Sequence, residues 1–221
     1  MNLILECIHD SLPIWEACLH TPFLHSMADG TLDEACLKGY IVEDSLYLRE
    51  YARVFAWGML HAPTMQEIRM FYTMLSFVRE SEDAVRLQYL RCWGITDEEI
   101  QLLPLRKENQ AYVNTMLEAA QSGSGAVCLM AALPCMLSYA WIFERMFREH
   151  ESIAETLCGP LVREYASPEY AQLCRVWMED ARRICEPLND EQKQRCKEIF
   201  RACSEHELRF WRMSGSPRED I

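Results

Sequence analysis

The side chains able to do covalent or proton-transfer chemistry stand out by where they fall on apolar helical stripes. A polar group on such a stripe costs stability unless it is satisfied, so it draws a functional reading. Cys135 follows Pro134 in Ala126–Trp141, a stretch apolar nearly all round that should lie centrally in a bundle. A proline in a helix interior removes one hydrogen bond and crowds the carbonyl four residues back, here Met130, so a kink and local space are expected. Cys128, two turns earlier on roughly the same face, is the internal comparison, a thiol with no chemistry expected. Asp44 interrupts the stripe Leu37, Ile41, Asp44, Leu48, Tyr51, Phe55, and Glu207 falls inside or at the edge of the stripe Ile199, Cys203, His206/Glu207, Phe210, Met213.

A thiol, two inward carboxylates and several tyrosines compose a covalent site. The thiol needs a base or a positive neighbour to become a thiolate. A carboxyl whose pKa is raised by burial can carry protons in both directions. Structural readings stand beside these. Asp44 would be satisfied by a tyrosine hydroxyl or a helix end, and Glu207 would sit half-exposed against Arg209 or Arg201. Each of the eleven cysteines, an odd number with no CxxC pair, would be a small buried apolar residue.

The elements that position these residues are helices. Thr31–Glu34, Thr64–Glu67 and Thr96–Glu99 read as capping boxes; Ser167–Pro168 and Asn189 with Gln192 are further starts. The pattern predicts helices over 2–19, 32–60, 64–92, 106–121, 125–149, 168–186 and 190–213, and a frayed tail over 214–221. Repeats and linkers are lacking, so the expectation is one all-α domain over 1–213 followed by that tail.

Composition narrows the function classes. A net charge of −12 repels phosphate backbones and anionic lipid, so neither nucleic acid nor a membrane is expected as partner. No apolar run long enough to span a bilayer is expected, and an N-terminus without a basic segment points to the cytoplasm, where the cysteines stay reduced. The six histidines form neither HxxxH nor HExxH, and the paired Glu-x-x-His of di-iron bundles is lacking. The glycine-rich phosphate loops and the Gly-x-Ser-x-Gly elbow are lacking too. No metal and no cofactor are expected.

Several segments in order resemble one family. They are Trp15 with Thr21-Pro22-Phe23, Asp29-Gly30-Thr31-Leu32, Tyr40 to Leu48, Leu133-Pro134-Cys135 with Ser138-Tyr139, Tyr165 to Tyr170, and Ser204-x-x-Glu207-x-x-Phe210-Trp211-x-Met213. Together they resemble TenA, the thiaminase II or aminopyrimidine aminohydrolase family, over roughly residues 14–213. The resemblance implies a haem-oxygenase-like helical bundle without haem, assembled as a homotetramer, that hydrolyses an aminomethyl-aminopyrimidine, and thiamin itself, to the hydroxymethyl-pyrimidine of thiamin salvage. It implies Cys135 as nucleophile, Glu207 as acid/base, and Asp44 as the group that bonds the pyrimidine ring and helps position the thiol. Tyr47, Tyr112, Tyr139, Tyr165 and Phe210 would wall the pyrimidine pocket or hydrogen-bond in it.

The sequence departs from the family pattern in places. Glu43-Asp44-Ser45 stands where Gln-Asp-Tyr is common, Arg86 follows Glu82 where a histidine is common, Leu161 replaces a tryptophan, and Thr21 interrupts His-Pro-Phe. These changes leave Cys135 and Glu207 in place and bear on substrate choice. Two further readings are a pyrimidine-binding or regulatory module without turnover, and a metal-dependent oxidase of the same superfamily. The latter needs histidine ligands where this chain has Arg175, Val176 and Asp180.

Overall fold

Seven of the described helices start where a side chain takes over an unpaired N–H group of the first turn. The computed structural model describes residues 2–75 and 82–221. There, Asn2 caps α1 (Leu3–Leu19), and α2 (Pro22–Ala28) begins on a proline. The chain continues through α3 (Glu34–His61), α4 (Met65–Met74) capped by Thr64, α5 (Glu82–Trp93), and α6 (Asp97–Gln101) with its Thr96–Glu99 capping box. Next come α7 (Lys107–Ser122), α8 (Gly125–Glu149) capped by Ser124, a 3-10 turn over Glu151–Glu155, and α9 (Gly159–Tyr165). The last two are α10 (Pro168–Cys185), capped by Ser167, and α11 (Asp190–Ser214), opened by a reciprocal Asn189–Gln192 box. Among the described residues there is no strand, so the all-α expectation holds.

The differences from the sequence expectation have local causes. α3 is capped by Asp33, whose Oδ1 accepts from the Ala35 N–H at 2.7 Å, not by Thr31. Gly30, at φ +71°, turns the chain, and the Thr31 N–H goes back to the Ser26 carbonyl. α2 and α9 were not expected; seven residues are two turns, too few for a periodicity to register. The single helix expected over 64–92 is seen as α4 and α5; residues 76–81 lie outside the described residues.

α8 also corrects the expectation that no segment is long and apolar enough to cross a bilayer. Residues 125–143 carry no charged side chain, and the helix meets the length and composition of a span. Most of it is buried inside the protein, packed on α3, α7, α10 and α11, with Gly125 through Tyr139 all buried. Its apolarity on every side follows from neighbours on every side. The helix runs unbroken through Pro134, which cannot donate to the Met130 carbonyl.

The tail is docked rather than frayed. Arg218 is buried and its Nη1 pairs with Glu43 of α3, a carboxylate without exposure. Nη2 of Arg218 donates to the Pro104 carbonyl at 2.9 Å and to Asp220 at 2.7 Å. Asn109 of α7 donates to both the Glu43 carboxylate (2.8 Å) and the Glu43 carbonyl (2.9 Å). The Arg106 guanidinium donates to the Met213 and Ser216 carbonyls. This knot ties α3, α7 and α11 together. Removing one partner of a buried ion pair leaves an uncompensated charge, so Arg218→Ala should cost about 3–5 kcal/mol of stability in urea unfolding. Adding Glu43→Gln to that variant should recover part of the loss, because glutamine keeps the bonds to Asn109 without the charge.

Candidate functional site

α8 carries both thiols singled out above. Cys128 has no exposure; its Sγ reaches the Ala120 carbonyl at 3.8 Å, and burial pushes its pKa up to about 12. Such a thiol stays protonated and packs as an apolar group. Cys135, two turns on, is 9% exposed and hydrogen-bonds to the carboxyl group of Glu207.

Glu207 is supplied by α11 and is 2% exposed. Tyr112 of α7 donates its phenol to Oε1 at 2.6 Å, and the Cys135 thiol is its second partner. Both bonds favour the ionised form, but burial outweighs them and carries the carboxyl from the ordinary 4.5 to about 7. At neutral pH it is therefore poised both to give and to take a proton. The half-exposed alternative is excluded: Arg201 and Arg209 turn instead to Glu205, at 3.3 and 3.7 Å.

Asp44 is buried on α3. Its charge, with those of Glu207 and Cys135, acts on the phenol of Tyr139, whose pKa rises well above the usual value chiefly through burial. Tyr40 donates to the Tyr139 hydroxyl at 3.3 Å. Tyr47 lies against Tyr112 (centroids 5.0 Å apart) and stacks on Tyr51 (5.4 Å), while its hydroxyl points to the Met116 sulfur at 3.4 Å. Phe210 stands 6.1 Å from both Tyr47 and Tyr40. Tyr165 joins through the ring of Tyr139, edge-on at 4.9 Å. Among the described residues, no group of three or more His, Cys, Asp or Glu is placed to hold a metal ion.

The structure thus gathers Cys135, Glu207, Tyr112, Asp44, Tyr139 and Tyr47 from α3, α7, α8 and α11 into one aromatic-walled cluster. Phe210 abuts it, and Tyr165 reaches it only through another ring. Tyr40 and Tyr51 are not among the pocket residues that the family resemblance implies. Their signal was present: Tyr40, Asp44, Tyr47 and Tyr51 follow steps of four, three and four and are all buried, whereas Leu48 of the expected stripe is half-buried. Tyr51 donates to the Ala132 carbonyl at 3.0 Å, fixing α3 against the segment of α8 that leads to Cys135.

Two of the departures from the family pattern meet in space. Arg86 of α5 is buried and donates to Ser45 Oγ at 2.6 Å, and Ser45 passes its own proton to the Ile41 carbonyl at 2.6 Å. A small hydroxyl at position 45 accepts the guanidinium where a ring would fill the space. The side chain of Glu82 lies outside the described residues.

Known proteins are similar to this chain over nearly its whole length. The profile of the TENA/THI-4/PQQC family matches residues 9–216. Aminopyrimidine aminohydrolase from Halalkalibacterium halodurans is 30% identical over 218 residues, covering 99% of this chain and 97% of its own. The Helicobacter pylori protein of the same name is 30% identical over 202 residues, with 91% and 93% covered. A crystal structure named as a TenA family transcription regulator, from Silicibacter sp. TM1040, superimposes with a TM-score of 0.85 at 25% identity, covering 98% of this chain and 97% of its own. The chain belongs to the TENA/THI-4/PQQC family.

Proposed function

We propose that this protein is an aminopyrimidine aminohydrolase of the thiaminase II type, converting an aminomethyl-aminopyrimidine, and thiamin, to the hydroxymethyl-pyrimidine. The observation that carries the reading is the buried Cys135–Glu207 pair, with a carboxyl near pH 7 and aromatic rings around it. The names and full-length similarity of the relatives support it.

In this reading Glu207 takes the Cys135 proton and the thiolate adds to an electron-poor carbon of the ring. Glu207 returns a proton to the ring nitrogen, and the electron pair of the enamine so formed expels the amine from the methylene arm. The amine, protonated as ammonium at neutral pH, leaves as ammonia. Water adds to the methylene and gives its proton to the Glu207 carboxylate; the carbon–sulfur bond then breaks as the ring nitrogen releases its proton to solvent, restoring the aromatic ring and the thiolate. The net change is water in and ammonia out, the thiazole taking the place of ammonia when thiamin is the substrate. Asp44 bonds the aminopyrimidine ring and positions the thiol, while Tyr47, Tyr112, Tyr139, Tyr165 and Phe210 wall the slot.

We place the enzyme in the cytoplasm as a homotetramer acting on a small pyrimidine and not on nucleic acid or a membrane surface. A net charge of −12 supports that choice of partner. Light scattering of the purified protein tests the tetramer. The function is tested by incubating the same preparation with the aminomethyl-aminopyrimidine and with thiamin. Ammonia and the hydroxymethyl product are expected from the first; a protein inert on both would overturn the reading.

A further inference from the structure

We propose that His206 is a positioning residue, held neutral in one tautomer as a rigid plate behind Tyr112 so that the phenol stays aimed at Glu207. This rests on the assignment of Glu207 as the acid/base group.

The imidazole of His206 is 8% exposed and lies against the Tyr112 ring almost parallel, at 8°, with centroids 5.3 Å apart. Its two nitrogens have partners of opposite character. Arg209 Nη1 approaches Nδ1 at 3.4 Å, and a guanidinium only donates, so Nδ1 must accept. Nε2 therefore carries the hydrogen and donates to Thr115 Oγ1 at 3.0 Å. Thr115 passes its own hydroxyl hydrogen to the Ala111 carbonyl at 3.0 Å. The chain runs one way, from Arg209 through His206 and Thr115 to the backbone of α7. A second proton on the ring would face the guanidinium. Burial and Arg209 also lower the histidine's pKa, with Glu205 opposing weakly, so the neutral form is the one at work.

His206 and Glu207 are neighbours on α11, while Tyr112 and Thr115 are one turn apart on α7. The histidine thus clamps the tyrosine's ring and its helix at once, and the 2.6 Å Tyr112–Glu207 bond is the result. That bond favours the ionised carboxyl. Among the described residues, the groups whose charge acts together with that of Glu207 include Cys18 from α1, Tyr47 from α3, Cys135 and Tyr139 from α8, and Cys203 from α11, with Asp44 of α3 acting on the same Tyr139 phenol. These are acidic or neutral groups, and Tyr112 is the phenol that donates to the carboxyl.

The test compares His206→Leu, His206→Phe, Thr115→Val and Tyr112→Phe in the full-length protein. Turnover is measured against pH, and the rate of Cys135 alkylation by iodoacetamide is read on its own peptide by mass spectrometry. His206→Leu should lower kcat about tenfold with KM within about twofold, the scale of weakening one hydrogen bond to a charged group. Its acidic limb should move up by about half to one pH unit, in the direction of Tyr112→Phe. His206→Phe, which keeps the stack but loses both hydrogen bonds, should fall between wild type and His206→Leu, with kcat lowered by about threefold and the limb moved by a step like that of Thr115→Val. Thr115→Val should move the limb the same way by a smaller step, and it carries the test if the leucine variant does not fold. A limb unmoved in both His206→Leu and Thr115→Val, or an equal loss in His206→Leu and His206→Phe, overturns the proposal. Alkylation separates the two claims: a shifted alkylation profile in a protein without turnover would sustain the role of His206 while rejecting the aminohydrolase reading.

Discussion

Cys135→Ser should lower kcat/KM for the aminomethyl-aminopyrimidine by about a thousandfold or more, with the fold intact. Serine is smaller than cysteine by little, so the packing of α8 is kept. What changes is the nucleophile. A carboxyl near pH 7 is a competent base for a thiol but far too weak for an aliphatic hydroxyl, so Glu207 leaves the serine protonated. Non-additive losses of this size are usual when a nucleophile is removed from its base. The check is ammonia release from matched preparations whose thermal midpoints agree within a few degrees. Cys92, the exposed thiol among the described cysteines, provides the control: Cys92→Ser should leave the rate unchanged. Activity retained in Cys135→Ser would remove the covalent mechanism.

Glu207→Gln should combine a large loss of activity with a gain in stability, a pairing that simple damage does not produce. General acid–base catalysis contributes about 10²–10⁴-fold, and the amide has no proton to exchange. Comparing this variant with wild type is most informative across pH, because the native carboxyl titrates at about 7 in the fold against 4.5 when solvated. A carboxyl whose folded pKa is raised stabilises the fold fully below the unfolded value. That contribution is lost as pH rises through the folded value, since ionisation then favours the unfolded chain. The amide removes this slope while still accepting from Tyr112. Urea unfolding should therefore find the variant more stable than wild type by up to about 3 kcal/mol at pH 8, with the gap closing towards pH 4.5. A variant less stable than wild type at pH 8 would show that the carboxylate is better satisfied than its burial indicates.

Much of the helical framework was written in the chain. Caps at Ser167 and Asn189 and the Thr96 box start their helices where a side-chain oxygen precedes free N–H groups. The two seven-residue helices escaped because a face must recur over several turns before it can be read. Asp33 displaced Thr31 as a cap because of the left-handed Gly30 turn, a backbone choice set by contact with α2. The tail fared worst, since composition marks residues 214–221 as polar and says nothing of a buried acceptor on α3. Glu43 holds Arg218 from 175 positions away.

For the site, the sequence by itself determined the inventory: a cysteine after a proline in an apolar helix, and an acid on each of two inward stripes. Stripe periodicity fixes which way a residue faces, and that is a local property of the backbone. Which faces meet is decided by how helices pack, and no local pattern encodes it. Only the tertiary structure could join Cys135 to Glu207, set Tyr112 between that carboxyl and His206, and shut the cluster away from water. Burial then did what residue identity could not, bringing an ordinary glutamate to a pKa of about 7 while leaving Cys128, a thiol on the same helix, an inert part of the core.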